Sequence, residues 1–509
     1  MFTPETNILL QTMIPVGRVN KPAITRNSSM KSCSVVFLQR CVACVCLSLV
    51  CGATAQLNER VLHSFTGGED GQQPYAGLVQ GADGALYGTT YLGGTNNAGI
   101  VFKVNPDGSG NKPIFHFPNS DTDPFGLSYP SGLIQGTDGV LYGTAGFGGT
   151  AKLGCIFRLN PNGTGYQILH SFDLSEGYEP TAALVQGRDG TLFGTTQFGG
   201  GGGHGTVFRI GTKGTDFVEL YRFGILPDDP QSPQAPLLVG QDGALYGTTT
   251  AGGASVIGGG SGYGTVFKIS AEGLNERVLH SFRPSGGEGQ RPYGGLVQGN
   301  DGALYGTTQE GGEFANSSSS GYGIVFKLNP DGTGYTILHS FNPAAGDGKY
   351  PNSGMVIGND GGLYGTTEFG GSDNLGVVFK LKPDGSDYAV LYNFGSSPND
   401  GSYPKAPLVK ASDGGLFGTA QFGGSRNFGT VFRLGPAPAV MSSIKRLGNR
   451  TVQFSITSAP HFDYRIEASS DQVHWQTLTN AYNTTGVLQF TDPDASNFEQ
   501  RFYRAAWVP

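Results

Sequence analysis

The chain has 509 residues, 85 of them glycine, with 11% aromatics and a formal net charge of -7. Glycine far above its usual share of ~7%, without a Gly-X-Y period, excludes collagen, and the aromatic content excludes a disordered polar chain. The acidic balance, with no basic run after residue 55, points away from nucleic acid and from anionic membrane surfaces as partners.

Residues 1–55 read as an N-terminal extension followed by an export signal. Met30-Lys31 supplies the probable start with its positive charge, Val35 opens the apolar stretch, and Ala53-Thr54-Ala55 gives a small-residue cleavage site. Five of the six cysteines fall in this segment; Cys155 remains alone, so no internal disulfide is expected in the mature chain. No later run of 18 apolar residues occurs, so no membrane span is expected after cleavage. The expected location is outside the cytoplasm: extracellular, cell-surface or periplasmic.

From residue 56 to 435 one phrase returns. An Asp-Gly pair precedes "LYGT" or a variant at Asp83, Asp138, Asp189, Asp242, Asp301, Asp360 and Asp413. Repeats of this length signal solenoids, propellers or arrays. Each copy holds four strand-like runs, here called a to d. In the first copy they are "YAGLVQG", "ALYGTTY", "GIVFKVN" and "KPIFHF". Short Asp-Gly turns join a to b and c to d, because Asp-Gly tolerates the positive φ of tight hairpins.

The ends of the array are offset. "ERVLHSF" (Glu59–Phe65) matches strand d of later copies, whereas the last copy stops after strand c at Leu434. One spare d strand in front and one missing behind predict a seven-bladed β-propeller closed by the N-terminal strand. Residues 436–439 form a short Pro-containing linker. Residues 440–509 alternate in polarity as half-buried strands do and predict a small C-terminal β-sandwich.

In such a sheet the b–c and d–a loops share one face, opposite the tight hairpins. That face is the predicted binding face. Its d–a loops carry an acid before Gly-x-x-Pro at Asp70, Glu176, Glu288, Asp347 and Asp400. A ring of carboxylates suits Ca²⁺, the one cofactor considered; the competing reading is that each acid caps its own turn. Phe147, Phe198, Phe369 and Phe422 precede the glycine pairs and offer faces for sugar rings, or wedges between neighbouring sheets. Copies four and five have longer loops ending in Tyr263 and Tyr322. His63, His116, His170, His280 and His339 read as one position of strand d, replaced by Arg222 and Asn393 in the other copies.

The unit "DGxLYGTT…GG…GxVFKxxPDG…LHSF…DGxxP", over roughly residues 57–434, resembles the choice-of-anchor tandem repeat GloVer-containing proteins of bacteria. That resemblance implies exported or surface proteins with a variable C-terminal anchoring or sorting module. The glycine pair after strand b also resembles a kelch blade, though the kelch tryptophan is missing. The tail "YRIEASSDQVHWQTL" resembles small terminal β-domains of exported bacterial proteins, without the hydrophobic helix and basic end of common sorting tails.

No Gly-x-Ser-x-Gly, H-E-x-x-H or phosphate-loop motif occurs. The expected function is non-enzymatic binding or scaffolding, with a glycan or a protein at the cell surface as partner. The alternative is an extracellular polysaccharide-degrading enzyme that uses two rim carboxylates.

Overall fold

The computed structural model describes residues 57–118, 127–226, 228–254, 262–283, 287–315, 320–411, 415–436, 440–447, 451–458, 462–471, 474–483, 485–498 and 500–508. The predicted leader, the seventh anchor Asp413 and most of the predicted linker lie outside them. The chain divides into two units, Gln56–Ala437 and Pro438–Val508, and both are all-β. Among the described residues, helix is limited to the 3-10 turns Pro343–Ala345 and Pro493–Asn497.

Each repeat folds as an antiparallel meander of the β-propeller type. In the first, strands a to d are Val79–Gln80, Leu86–Thr90, Ile100–Val104 and Lys112–His116, bonded in that order. Seven four-stranded sheets of this kind are present among the described residues. In one of them Leu57–Ser64 takes the d position. It runs antiparallel to Thr430–Pro436, with Arg60 opposite Arg433 and Ser64 opposite Thr430.

The repeated phrase has a packing reason at almost every letter. The anchor Asp83 accepts the Tyr87 hydroxyl (2.7 Å) and the Lys103 ammonium (2.7 Å), and its other oxygen accepts the Ala85 amide. Burial alone would raise this carboxyl; the bonds from Lys103 and Tyr87 outweigh it and hold it below the ordinary aspartate range. Asp242 and Asp301 repeat the arrangement with Tyr246–Lys268 and Tyr305–Lys327. The glycine of "LYGT" is there for space. A Cβ on Gly88 would lie 2.5 Å from the Phe102 ring, and one on Gly247 would lie 2.4 Å from Phe267. The strand-c phenylalanine lies flat across strand b and fills the room the glycine leaves.

The threonine after that glycine ties its sheet to the next in every repeat but the third, where the Thr195 hydroxyl is buried without a partner among the described residues. Thr89 Oγ1 donates to the Ser131 carbonyl (2.9 Å), Thr248 to Gly294 (3.1 Å) and Thr307 to Ser353 (2.9 Å). Thr419 of the last repeat donates to Ala76 of the first (3.0 Å). Buried Leu78, Leu86, Ile100 and Phe102 share a cluster with Ala411, Phe417 and Val431. Burying such side chains is worth about 1.5–3 kcal/mol each, which a lone four-stranded sheet cannot gain on both faces.

A second tie joins neighbouring d strands, and it corrects the histidine alignment. Counting back from the buried phenylalanine that follows each d strand, His63, His170, His280 and His339 share one position with Phe115, Tyr221 and Tyr392. Each stands opposite the second residue of strand c, as His339 does with Val325. His116 instead stands opposite Ile100, at the place held by Arg222 and Asn393. The phrase "KPIFHF" lacks the serine of "LHSF", so the count slips by one residue. The true set packs on the next d strand four residues nearer its start. His170 stacks on Phe217 (3.8 Å), His280 on Tyr335 (3.8 Å), His339 on Tyr388 (3.5 Å) and Phe115 on Tyr166 (4.5 Å). His63 meets Asn111 at 3.4 Å. Where a tyrosine replaces the histidine, a glutamate replaces the aromatic: Tyr221 with Glu276, and Tyr392 with Glu59 (3.4 Å).

These two glutamates face aspartates. Glu59 Oε1 and Asp400 Oδ1 are buried atoms without a partner if both carboxyls are ionised; a proton on Glu59, directed at Asp400, satisfies both. Burial first, then the hydrogen bond and charge of Asp400, lift Glu59 to about 9. Burial and the charge of Asp229 lift Glu276 to about 7. A raised carboxyl binds its proton in the folded state, so its stabilisation is full below the unfolded value and is lost as pH rises through the folded one.

The second unit consists of two three-stranded sheets. One orders Val440–Arg446, Val452–Thr457 and Val487–Asp492; the other orders Gln476–Asn483, Phe462–Ser469 and Phe502–Val508. Phe454, Ile456, Ile466 and Ala505 fill its core. Arg501 pairs with the buried Asp492 at 2.7 Å.

Two outcomes follow. Gly247→Ala should destabilise the first-described unit by about 1–3 kcal/mol in urea unfolding, with Phe267→Leu in the same chain restoring part of the loss; an unchanged midpoint contradicts the packing account. Unfolding free energy measured from pH 5 to pH 9 should fall with pH more steeply in the wild type than in Glu59→Gln, the slope difference approaching ~1.4 kcal/mol per pH unit. Parallel pH profiles would refute the shared proton.

Candidate ligand-binding face

The b–c and d–a loops share one end of the sheets, opposite the Asp-Gly hairpins, and they are bonded to each other. Gly348–Lys349 pairs with Phe369–Gly370, Gly401–Ser402 with Phe422–Gly423, and Gly289–Gln290 with Glu310–Gly311. These paired loops are short two-stranded ribbons.

At the base of each ribbon stands a non-glycine residue in the left-handed region, just before a proline. The seven are Gln73 (φ 55), Tyr129 (φ 62), Glu179 (φ 54), Ser232 (φ 58), Arg291 (φ 55), Tyr350 (φ 58) and Tyr403 (φ 57). Proline disfavours this conformation in the residue before it, and L side chains resist it at roughly 1–2 kcal/mol. Two backbone bonds hold it. The Tyr350 amide donates to the Tyr322 carbonyl of the preceding repeat (2.9 Å), and its carbonyl accepts from Glu368 (3.1 Å). Arg291 and Tyr403 are held in the same way, through Tyr263 and Gln309 and through Leu375 and Gln421. The strained residue clamps two repeats, and its side chain is set at a fixed place on the face.

The predicted site residues fall into three groups. The acids do not converge. Each lies beside the strand-d residue of its own repeat, and Asp70, Asp347 and Asp400 also accept backbone amides. Asp70 accepts from the Thr66 amide (3.0 Å) and lies 3.2 Å from His63 Nε2. Glu176 meets His170 (2.9 Å), and Glu288 lies 3.8 Å from His280. Asp347 meets His339 (2.7 Å) and accepts from Tyr388. Asp400 accepts from Tyr392 (2.7 Å) and the Gly395 amide (2.7 Å). Burial, then the charge of Arg283, pushes His280 down to about 4, so at neutral pH it is a neutral imidazole beside a carboxylate. Burial also lowers His63, against the pull of Asp70. Asp229 completes this set and escaped the sequence reading, because Pro230 stands where the other copies have glycine; the pattern acid–Gly/Pro–x–x–Pro finds it. It accepts from the Tyr221 hydroxyl (2.8 Å) and the Ile225 amide (3.0 Å). Among the described residues no group of three or more His, Cys, Asp or Glu is placed to hold a metal ion.

The aromatics do sit on the loop face. Phe369 lies between Tyr350 of its own repeat (6.1 Å) and Tyr403 of the next (5.1 Å). Phe422 meets Tyr403 (6.0 Å), and Phe198 meets Tyr178 (5.5 Å). Phe147 is 40% exposed and touches Tyr129 edge-on. Tyr263 and Tyr322 turn inward, half-buried against the clusters of their sheets; the loops before them lie partly outside the described residues.

Side chains that are not repeated from copy to copy make the face asymmetric. Tyr75, Tyr91 and Tyr129 form a row, with Tyr91 stacked on Tyr129 at 4.1 Å and 21° and Tyr75 6.2 Å from Tyr91. Lys405 lies 5.3 Å over the Tyr75 ring and 3.0 Å from Glu368, which also accepts from Asn352. The same positions in other repeats hold Gln197, Thr250 and Gln309. The sequence signal was there: tyrosine follows "LYGTT" only in the first copy.

A family model described as the Gloeobacter/Verrucomicrobia repeat matches residues 51–254 and 254–463. No curated protein matches the chain. Similar solved structures include TolB from Acinetobacter baumannii, with 13% identity and a TM-score of 0.35. That match covers 62% of this chain and 64% of TolB, so the chain spans less than two thirds of TolB. An oligogalacturonate lyase in complex with manganese has 10% identity and a TM-score of 0.47, covering 75% and 97%. A fungal alcohol oxidase of the AA5 family in complex with copper has 14% identity and a TM-score of 0.47, covering 90% and 93%. Likeness at this level says nothing about substrate. No helix among the described residues is long and apolar enough to cross a membrane.

Tyr221→Phe removes one bond to the buried Asp229 carboxylate. It should cost about 1–3 kcal/mol of stability in urea unfolding, and Asp229→Asn in the Tyr221→Phe background should cost less than it does alone. Additive losses would deny the coupling.

Proposed function

Because the chain belongs to the Gloeobacter/Verrucomicrobia repeat family, we propose that its repeat region is one closed seven-bladed propeller serving as an exported, non-enzymatic binding scaffold. Closure is supported by the pairing of Leu57–Ser64 with Thr430–Pro436, by the Thr419–Ala76 bond and by the cluster shared between the first and last repeats. The proposed ring is followed by the small two-sheet unit, in a chain that a leader within residues 1–55 directs to the cell surface or beyond. The ligand is a glycan or a protein met there.

One observation carries the non-enzymatic reading. Of the recurring carboxylates, Asp70, Asp229, Asp347 and Asp400 are held by a tyrosine or histidine and by a nearby backbone amide, and Glu176 is held by His170. A glycosidase needs two carboxyls about 5–10 Å apart across one bond. Acids distributed one per repeat and already bonded serve the frame. The face beside them, with its clamped side chains, is where a partner meets the protein.

The full chain should bind a glycan on an array, or retain a protein from the cell envelope, and should release no reducing sugar from any glycan it binds. Turnover that is abolished by Asp347→Asn would overturn this reading in favour of catalysis.

A further inference from the structure

The row Asn352–Glu368–Lys405–Tyr75–Tyr91–Tyr129–Phe147 crosses four repeats in succession: the sixth, the seventh, the first and the second. Every link is a direct contact. Asn352 bonds Glu368, Glu368 pairs with Lys405, Lys405 covers Tyr75, and the rings follow at 6.2, 4.1 and 5.3 Å. Tyr129 and Phe147 stand at positions that recur, but Tyr91, Glu368 and Lys405 are not repeated in side chain, so ring architecture alone does not require the row. Its two outer rings are open: Tyr75 is 49% and Phe147 is 40% exposed. Tyr129 is fixed by its left-handed backbone at φ 62. The hydroxyls of Tyr75, Tyr91 and Tyr129 are unpaired among the described residues.

We propose that this row is the binding track for a linear, uncharged polysaccharide; the proposal rests on the binding-scaffold reading above and names its site and ligand class. Pyranose rings present a flat C–H face that packs on aromatic rings, and their hydroxyls meet groups such as the free phenols and the Asn352–Glu368–Lys405 cluster at the end of the row. Charge selects against an acidic polymer. The ammonium of Lys405 is already matched by Glu368, the Glu179 carboxylate also acts on Tyr91, and the chain carries a net -7. Shape selects against a folded protein partner. A stable protein interface buries about 800 Å² on each side, whereas the contacts here follow one another in a single line from the sixth repeat to the second. Rigid aromatic anchors flanked by polar groups suit a narrow, extended chain.

Both tryptophans, Trp475 and Trp507, lie in the second unit, so tryptophan fluorescence is a poor reporter. Affinity electrophoresis of the full chain in gels holding soluble glucan, mannan, xylan or polygalacturonate, followed by calorimetry with the matching hexasaccharides, tests the proposal. At least one neutral polymer should retard the protein and polygalacturonate should not. Tyr75→Ala and Tyr91→Ala should each weaken hexasaccharide binding tenfold or more, while Tyr178→Ala, which lies off the row, should leave it unchanged. Tyr75 is half exposed, so its loss tests the track without threatening the fold; a circular dichroism melt equal to wild type checks this. Retardation by neutral polymer that survives Tyr75→Ala and Tyr91→Ala overturns the track and leaves the scaffold reading standing. Retardation by polygalacturonate alone, or by no polymer, also overturns it. Depolymerisation of a bound glycan would instead sink the scaffold reading, whatever the tyrosine variants do.

Discussion

The contact between successive d strands is the constraint on which the rest of the repeat region depends. A four-stranded sheet of five-residue strands buries too little alone to stay folded. Each sheet must find a neighbour, and the d strand is its outer edge. One side chain there, histidine, tyrosine or phenylalanine, lies on a partner from the next d strand. The partner changes with it: an aromatic or Asn111 beside histidine, Tyr166 beside Phe115, glutamate beside tyrosine. A ring stack or a polar contact forms each joint although the residues differ, and at the His280 joint His280 Nε2, Glu288 Oε2 and the Tyr335 hydroxyl are buried without a hydrogen-bond partner among the described residues.

The acids of the d–a loops are the other half of this joint. Asp347 touches both His339 of its own repeat and Tyr388 of the next, and Asp400 does the same with Tyr392 and Glu59. Where a second carboxyl enters, one of the two keeps its proton, because two charges cannot share a buried site. This explains the prevalence of these acids without any chemistry on a substrate. It also ties the frame to solution pH at the two joints built from glutamate.

Frame and face follow different rules on the same backbone. Recurring residues serve the sheets: the described anchor aspartates bond within their repeat, the strand-b glycine leaves room for the strand-c phenylalanine, and its threonine bonds the next sheet in every repeat but the third. The left-handed clamp recurs in backbone conformation but not in side chain: Gln73, Tyr129, Glu179, Ser232, Arg291, Tyr350 and Tyr403 share one φ and seven surroundings. Such a position keeps the architecture constant while it frees the side chain for recognition.

The sequence by itself determined the sheets, their number and their turns. A two-residue alternation, Asp-Gly hairpins and a 51–59 residue spacing are local signals, and local signals survive in a string. It also placed the aromatics before the glycine pairs on the loop face, since strand direction follows from the order of the turns. What needed tertiary structure was every relation between repeats. The histidine register depended on which strand-c residue stood opposite, and a missing serine hid the slip at His116. Asp229 was masked by a proline that only the three-dimensional count makes equivalent to glycine. The row brings together Lys405 and Tyr75, more than 300 positions apart in the chain, and distance along the chain carries no record of contact between repeats.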